Sequence, residues 1–466
     1  MTRQKALKRL IRQRMAKTGE HYAAARRHFL STGPRADAVA GEAPQVAVDG
    51  YLLRGGLHPD TAAVANVLAD LGVTSPVDGQ PFSEAMVLGL GGGLGAGYIL
   101  WEFAAAKGDK PDAAHGDRRL VTLGFRIDWQ YPRRWFERIA QRFGAQISFR
   151  ETGSPRVAES AMDEAFADGR RPIAWVDVAD LGLWGHPQSR SGWAGYPVVL
   201  IGPAKDGDAV LVDDRGRAAF AVPRQRLAAA RGRIGSDKNR LAILAPAASL
   251  DAAGLRTAVR EGIGQCVAHL AQPSDSFSLP AWRKWARLVT DRRNAKAWPR
   301  VFADRAGLFS ALLGVVEGVD GGIGAFGGHL RGLYADFLRD AAALLDESRL
   351  RVAADRWADA ADLWEDLSDA VMPHDLPDGL EALEAAEQLH DAVMAGDAGR
   401  AASARAAERL WAMHDRHARS FPLPDDRVEA LFGELGSRLE AIHAAELAAQ
   451  AALREANAGP RLRAPS

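Results

Sequence analysis

The hydrophobic pattern of this chain changes near residue 250, and that change limits the fold more than any other feature. From residue 48 to residue 248, short β-branched apolar runs alternate with helical segments, a pattern typical of a sheet packed with helices. From residue 250 to residue 456 the pattern is helical and rich in alanine. We therefore predict an α+β domain at 48–248 with a largely antiparallel sheet, followed by an all-α domain at 250–456.

The first half contains the segments that should build the sheet. Ser154 and Pro155 predict a helix start, with serine as the cap and proline at the first helical position. Gly207 lies between two strand-like runs and predicts a hairpin. The predicted strands span 119–128, 146–151, 172–178, 196–202, 209–213 and 240–244, and a further helix is predicted at 132–143.

The second half carries an apolar stripe at helical spacing. Its large members, Trp357 and Trp364, are predicted to be buried on one face. Truncating either to alanine should then cost about 3–5 kcal/mol. The full stripe is Leu350, Ala353, Trp357, Ala360, Trp364 and Leu367.

Composition excludes several classes of protein. Lys+Arg and Asp+Glu both number 59, so no global charge favours a nucleic-acid partner. A single cysteine, Cys266, rules out an internal disulfide and favours a reducing compartment, so we expect a cytoplasmic protein. The longest uncharged run, 85–101, is rich in glycine and predicts buried structure with no membrane span.

The two ends differ from the rest of the chain. The first thirty residues carry nine basic side chains against Glu20 alone, and they predict a basic helical arm at 1–30. A solvated basic face is favoured there over contact with nucleic acid or an anionic membrane. Residues 31–47 are expected to be a linker and residues 457–466 a disordered tail.

Residues 50–101 form the most informative stretch. His58 and Pro59 open a helix predicted at 59–71, a Ser83-Glu84 pair follows, and a glycine-rich block at 89–97 leads to an aromatic segment.

This stretch resembles the N-terminal domain of the butirosin-biosynthesis protein H family. The likeness continues through the hairpin at 196–214 and the helix at 227–231. Residues 278–370, including LRGLYADFL at 330–338, resemble the uncharacterised helical domain that often follows. The resemblance implies a papain-like fold and acyl transfer from carrier-protein thioesters to amines.

Acyl transfer of this kind requires a thiolate at a helix N-terminus, a histidine base and a carboxylate or amide that orients the histidine. The resemblance places the nucleophile at Pro59, the base at Tyr196 and the orienting group at Asp214, with Asp213 as the alternative. Proline cannot attack, and tyrosine stays protonated near neutral pH. Two of the three triad positions are therefore chemically wrong.

The same alignment predicts a cleft that keeps its shape and binds a ligand. The Tyr196 hydroxyl is expected to be free for that ligand. No cofactor and no metal site is predicted. The predicted ligand-binding residues are His58, Asp60, Ser83, Glu84, Tyr196, Asp213 and Asp214.

Other residues offer weaker alternatives for a nucleophile or a phosphate site. Cys266 falls on an apolar helical face and is predicted to be a core residue. Thr61 and Ser83 could attack in principle, but both suit helix starts. Glycine patterns at 91–96 and 322–327 match dinucleotide motifs, yet neither follows a clear strand, so close packing is favoured.

Three histidines complete the candidates. His414 and His417 are three apart on a predicted helix, a spacing compatible with metal, but a solvated pair is favoured. His186 lies in a predicted loop before the Tyr196 strand and could enter the same cleft, but a solvated loop histidine is favoured.

Three functions remain open from the sequence. The favoured one is a catalytically silent papain-like domain that binds a small molecule, a peptide or a carrier-linked acyl group in natural-product-type metabolism. The helical domain would cover one side of the cleft or supply a homodimer surface. The alternatives are an active acyltransferase or amide-cleaving enzyme with a rebuilt site, and an interaction protein that acts through its basic arm.

Overall fold

The computed structural model describes residues 46–102, 119–193, 195–246, 250–321, 323 and 328–458. The predicted basic arm, nearly all of the linker and most of the predicted tail lie outside the described residues. Most of the glycine pattern at 322–327 also lies outside them.

A six-stranded antiparallel sheet forms the centre of the first half. Its order is β5-β10-β6-β7-β8-β9, and every neighbouring pair is antiparallel, which confirms the predicted sheet type. Gly207, at a φ of +76°, lies in the turn between β7 and β8, as predicted. The strands are β5 (Ala145–Arg150), β6 (Ile173–Asp177), β7 (Gly195–Pro203), β8 (Ala209–Asp213), β9 (Phe220–Pro223) and β10 (Leu241–Pro246).

Six α-helices accompany the strands in the described part of this half. Ser154 Oγ accepts a hydrogen bond from the Val157 backbone N–H, and Pro155 opens the helix, as predicted. The helices are α1 (Pro59–Asp70), α2 (Glu84–Leu90), α3 (Pro132–Arg142), α4 (Pro155–Ala167), α5 (Val178–Leu181) and α6 (Arg224–Gly232).

Four further strands form two separate ribbons. β1 (Val46–Val48) pairs with β2 (Tyr51–Leu53), and β3 (Leu94–Glu102) pairs with β4 (Arg119–Arg126). The sequence predicted strand 119–128 as part of the main sheet, but the β3–β4 ribbon lies apart from that sheet and packs among the helices.

The second half is helical throughout its described residues apart from loops, as predicted. No helix in the described residues is long and apolar enough to cross a membrane. The helices are α7 (Ala252–Leu270), α8 (Pro280–Thr290), α9 (Trp298–Val301), α10 (Leu308–Asp320), α11 (Arg331–Leu345), α12 (Arg349–Ala370), α13 (Gly379–Met394), α14 (Arg400–His417) and α15 (Asp425–Asn457).

A buried ion pair lies at the centre of these helices. Arg331 and Glu446 are both completely buried, and Arg331 Nε lies 2.7 Å from Glu446 Oε1. Trp282 and Trp364 donate their indole N–H groups to the same carboxylate at 3.0 and 2.6 Å. Trp357 and Trp364 are both completely buried, which confirms their predicted core position.

The same arginine fixes the β3–β4 ribbon to the helices. Arg331 Nη2 donates to the Gly95 carbonyl at 3.1 Å, and Nη1 donates to the Phe125 carbonyl at 3.4 Å. Trp298 Nε1 donates to the Tyr98 hydroxyl at 2.8 Å. Because strands of the first half enter the core of the second half, the two halves share one hydrophobic interior.

Candidate functional site

Helix α1 begins at Pro59, directly after its cap residue His58. Proline suits this position because its missing N–H would have no partner within the helix. The backbone N–H groups of Leu57 and His58 donate to the two oxygens of Glu84, each at 2.8 Å. Thr61 Oγ1 donates to Glu84 Oε1 at 2.7 Å. The Glu84 carboxylate therefore holds the segment that leads into α1.

The strand register brings Tyr196 and Asp214 together. Val199 of β7 pairs with Asp213 of β8, and in an antiparallel pair the start of one strand lies beside the end of the other. The Tyr196 hydroxyl donates to Asp214 Oδ1 at 2.5 Å, and Trp184 Nε1 donates to Asp214 Oδ2 at 2.6 Å. These three side chains are buried.

The expectation that the Tyr196 hydroxyl is free for a ligand is wrong, because its proton is directed to Asp214. Burial raises the pKa of Tyr196 well above its usual range; Arg215 lowers the pKa and the Asp214 charge raises it further. Burial also raises the pKa of Asp214, against Arg215 and the donated hydrogen bonds, which lower it. The pair is thus a buried hydrogen bond with the proton on tyrosine.

Asp213 faces a different set of partners. Its Oδ2 accepts from the Tyr51 hydroxyl at 2.7 Å and from Asn66 Nδ2 at 3.1 Å. Burial raises its pKa to about 6, although these donors lower it. Of the two adjacent carboxylates, Asp214 contacts Tyr196, and Asp213 holds α1 and β2 against the end of β8.

Arg215 joins the start of α1 to the Tyr196–Asp214 pair. Its Nη1 donates to the Leu57 carbonyl, and its Nε lies 4.0 Å from Asp214 Oδ1. The guanidinium also lies 5.5 Å from the centre of the Trp184 ring. The segment that precedes Pro59 and the residues at positions 196 and 214 are therefore connected through one buried cation.

His58 has spare hydrogen-bonding capacity in this cluster, as has Arg215 at its Nε. It is 6% exposed, and its Nδ1 has no hydrogen-bond partner among the described residues. Burial lowers its pKa to about 3; Asp60 raises the pKa, while Arg126 and Arg215 lower it. The imidazole is therefore neutral over the whole physiological range of pH.

The other two predicted ligand residues have structural partners. Asp60 Oδ2 accepts from Arg126 Nε at 3.1 Å and Nη2 at 2.8 Å. Ser83 is exposed, and its hydroxyl caps α2 by accepting from the Met86 backbone N–H at 3.1 Å. Both contacts fix the two helix starts that border His58.

The helical half forms one wall beside this cluster. Arg215 Nη2 donates to the Gly321 carbonyl at 3.4 Å. His186 Nε2 lies 2.9 Å from the Ile323 carbonyl oxygen, and its ring lies 5.5 Å from that of Trp411. His186 is buried, so the expectation of a solvated loop histidine is wrong. Burial and the positive charge of Arg190 together lower its pKa to about 3.

Cys266 is a core residue, as predicted. It is completely buried, and burial raises its pKa to about 11. Since a thiolate is the reactive form, this cysteine is not a replacement for the nucleophile.

The glycine block at 91–96 permits close packing. A Cβ atom at Gly91 would lie 2.5 Å from Trp135 Nε1, and one at Gly95 would lie 2.4 Å from the Arg126 carbonyl oxygen. Side chains and backbone thus fill the space that a phosphate would need, which supports the predicted packing role.

The prediction of a solvated pair at His414 and His417 is wrong, because both side chains are buried. His414 Nε2 lies 2.6 Å from Ser310 Oγ, and its Nδ1 lies 3.0 Å from Asp415 Oδ1. The Ser–His–Asp sequence of hydrogen bonds matches that of a hydrolase triad. In a hydrolase, however, the serine faces the substrate and the aspartate is buried, and here the exposure of the two is reversed. The serine is inside, and the Asp415 side chain is 78% exposed. We interpret the contact as structural, since a substrate would have to pass the histidine.

Sequence reasoning missed Trp184 and Arg215, although each is within two residues of one that it singled out. Arg215 follows Asp214 directly, and Trp184 is two residues before His186. Their burial was the missing information. In the parts of the chain that the structure describes, no group of three or more His, Cys, Asp or Glu side chains could hold a metal ion.

Comparison with family models matches residues 58–215 to the N-terminal domain of butirosin biosynthesis protein H. Residues 225–395 match DUF4872, a domain of unknown function. The second match begins 25 residues before the predicted start of the helical domain at residue 250, because it includes α6 and β10. A search of curated proteins gives no match. The chain therefore carries, at residues 58–215, the N-terminal domain of the butirosin biosynthesis protein H family, which is linked to natural-product biosynthesis, followed by DUF4872 at residues 225–395.

Proposed function

We propose that this chain is a catalytically silent, papain-like relative of acyltransferases that binds a small molecule, a peptide or a carrier-linked acyl group. The observation that carries this proposal is Pro59 at the first position of α1. The thiolate of a papain-type enzyme occupies a helix start because the positive end of the helix dipole lowers the thiol pKa. Proline offers no group that can attack an acyl carbon.

The base position supports the same conclusion. Tyr196 holds its proton against Asp214, and the raised pKa of Tyr196 prevents it from accepting a proton near neutral pH. In addition, the Leu57 and His58 backbone N–H groups, which could stabilise an oxyanion, already donate to Glu84. The nucleophile and base positions are thus altered, and the backbone N–H donors for an oxyanion are occupied by Glu84.

One observation favours residual activity as the second candidate. The neutral His58 has an unpartnered Nδ1 that could accept a hydrogen bond from an amine or a water molecule and orient it, while its lowered pKa makes it a weak base. An enzyme rebuilt around His58 would not need the missing thiol.

A gain-of-function experiment tests the first proposal. The purified chain is mixed with S-acetyl-N-acetylcysteamine and glycinamide, and thiol release and amide formation are followed. The wild type should give no turnover above the uncatalysed rate. Pro59→Cys with Tyr196→His should form a covalent acetyl-enzyme, which mass spectrometry detects. The matched control is Pro59→Ala with Tyr196→Phe, which should remain unlabelled. Cys266 should not interfere, because its burial and raised pKa suppress the thiolate.

Wild-type turnover would overturn the silent reading. If that turnover disappears in Tyr196→Phe, the tyrosine takes part in the reaction. If it disappears in His58→Gln and persists in Tyr196→Phe, the second candidate is correct. A double variant that folds but does not acquire an acetyl group would show that positions 59 and 196 do not form one reactive cleft.

A further inference from the structure

A groove with both charged and apolar lining lies on the surface between the first half and the helical half. Its volume is about 740 Å³, which is within the range of small-molecule sites. One wall comes from α6 and the residues around α5, and the other comes from Arg400 at the start of α14. The lining residues are Asp180, Gln188, Pro223, Gln225, Arg226, Ala229 and Arg400.

The exposed Arg226 guanidinium lies beside Gly182 and has no acidic partner among the described residues. A Cβ atom at Gly182 would lie 2.9 Å from Arg226 Nη1, so glycine at this left-handed position leaves room for the cation. Among the described residues, Arg226 makes no hydrogen bond or ion pair. An arginine that packs against backbone and lacks a carboxylate is available to an anion.

Arg400 supplies a second oriented guanidinium from the helical half. Its Nε donates to Asp397 Oδ1 at 2.5 Å, and its Nη2 donates to the Ala221 carbonyl at 2.7 Å. The cation also lies 5.3 Å from the centre of the Phe220 ring. These contacts hold the guanidinium in place and engage Nε and Nη2, which leaves Nη1 for another acceptor.

The acidic group of the groove already has partners. Asp180 Oδ1 accepts from the Ser191 hydroxyl at 3.0 Å, and Oδ2 lies 3.9 Å from Arg233 Nε. Arg226, Arg233 and Arg400 against Asp180 and Asp397 give a local excess of positive charge.

We propose that this groove binds a phosphorylated small molecule, with its phosphate held by Arg226 and Arg400. A phosphate dianion offers three oxygens to planar guanidinium donors, and arginine recognises it with paired hydrogen bonds. The groove is much larger than a phosphate group. The organic part of the ligand therefore lies along Pro223 and Ala229, within reach of the Gln188 and Gln225 amides. Because each half supplies one arginine, the bound ligand bridges the two halves. This proposal does not depend on whether the site at Pro59 is catalytically silent.

The test uses the full chain and inorganic pyrophosphate, with inorganic phosphate as the smaller probe, at constant ionic strength. Isothermal titration should show saturable binding, and the Tm should rise with ligand concentration because the ligand binds the folded state. Arg226→Gln should weaken binding by at least about tenfold, the loss typical of one charged hydrogen bond. Arg351→Gln, at an exposed arginine of α12, is the matched control and should bind as the wild type does.

Arg400→Gln should also weaken binding, and Arg400→Lys should retain part of it, since lysine keeps the charge and loses the planar fork. If Arg400→Gln does not fold, the Arg226→Gln comparison decides. Absence of saturable binding to both anions would overturn the proposal. It would also be overturned if Arg226→Gln and Arg351→Gln bind equally well.

Discussion

The Arg331–Glu446 pair in the helices and the cluster around Asp214 both contain buried charged groups. The two sites differ in how completely those groups are hydrogen-bonded. In the pair, a full positive charge lies directly against a full negative charge, and neither residue is exposed. The remaining hydrogen bonds go to Trp282, Trp364, the His329 carbonyl and two carbonyls of the β3–β4 ribbon. Such a network is costly to disturb, because any unpaired member stays buried.

The Asp214 cluster is equally buried and less completely paired. Two carboxylates are adjacent in sequence, and burial raises the pKa of both. His58 Nδ1 has no partner among the described residues. The helical centre joins the two halves of the chain, and we propose that the Asp214 cluster keeps the hydrogen-bonding capacity of His58 for a ligand.

The largest change in the free energy of unfolding should come from breaking the Arg331–Glu446 ion pair. Glu446→Ala should lower the free energy of unfolding by about 3–5 kcal/mol, because it leaves Arg331 buried without its anion. Urea denaturation measures this directly. Arg331→Met combined with Glu446→Leu is the control; it should recover only part of the loss, because it removes the unpaired charge but leaves the Trp282 and Trp364 N–H groups without an acceptor. A single variant within about 1 kcal/mol of the wild type would contradict the role of the pair.

A smaller effect is expected in the Asp214 cluster. Tyr196→Phe removes one of the two donors to Asp214 and should cost about 1.5–3 kcal/mol, the range for hydrogen bonds to charged groups. Tyr131→Phe, at a tyrosine that is 55% exposed, should stay within about 0.5 kcal/mol of the wild type. Equal stability of the two variants would show that the Tyr196–Asp214 bond contributes nothing to folding.

The third effect, the smallest when expressed per pH unit, is a slope in the pH dependence of the free energy of unfolding. The pKa of His58 is about 3 in the folded chain and 6.5 in its unfolded reference. Between these values the unfolded state binds a proton that the folded state does not, so stability falls as the pH falls. His58→Gln should remove about 1.4 kcal/mol of that loss per pH unit.

Denaturation curves from pH 6.5 to pH 4 test this slope. The raised pKa of Asp213 acts in the opposite direction below pH 6, but it is present in both proteins and cancels in the difference. His374→Gln, at an exposed histidine, is the control and should leave the wild-type slope unchanged. If the free energy of unfolding falls with pH at the same slope in His58→Gln and in the wild type, His58 is not held neutral in the folded chain.

Local rules explain why much of the fold was predictable. The Ser154 cap, the Gly207 turn and the alternating strands depend on neighbours within a few residues. The antiparallel sheet, the helical half and the buried Trp357–Trp364 face followed from hydrophobic period. The family resemblance and its order of two domains were also recognised from the sequence and are confirmed.

Contacts between distant segments were not predictable. The β3–β4 ribbon lies apart from the main sheet because the Tyr98 hydroxyl and the Gly95 and Phe125 carbonyls accept hydrogen bonds from residues of the helical half. His186, with its buried ring, was misread for the same reason, since burial of a loop depends on which helix covers it.

By itself, the sequence determined the types of elements, the position of Pro59 at a helix start and the absence of a thiol there. It placed Tyr196 and Asp214 in one hairpin, whose register follows from the turn. Only the tertiary structure decided that the tyrosine proton goes to Asp214, that Arg215 joins this pair to α1 and that Arg331 meets Glu446. Those contacts join segments up to 158 residues apart. Chain packing fixes such distances, and no local propensity encodes them.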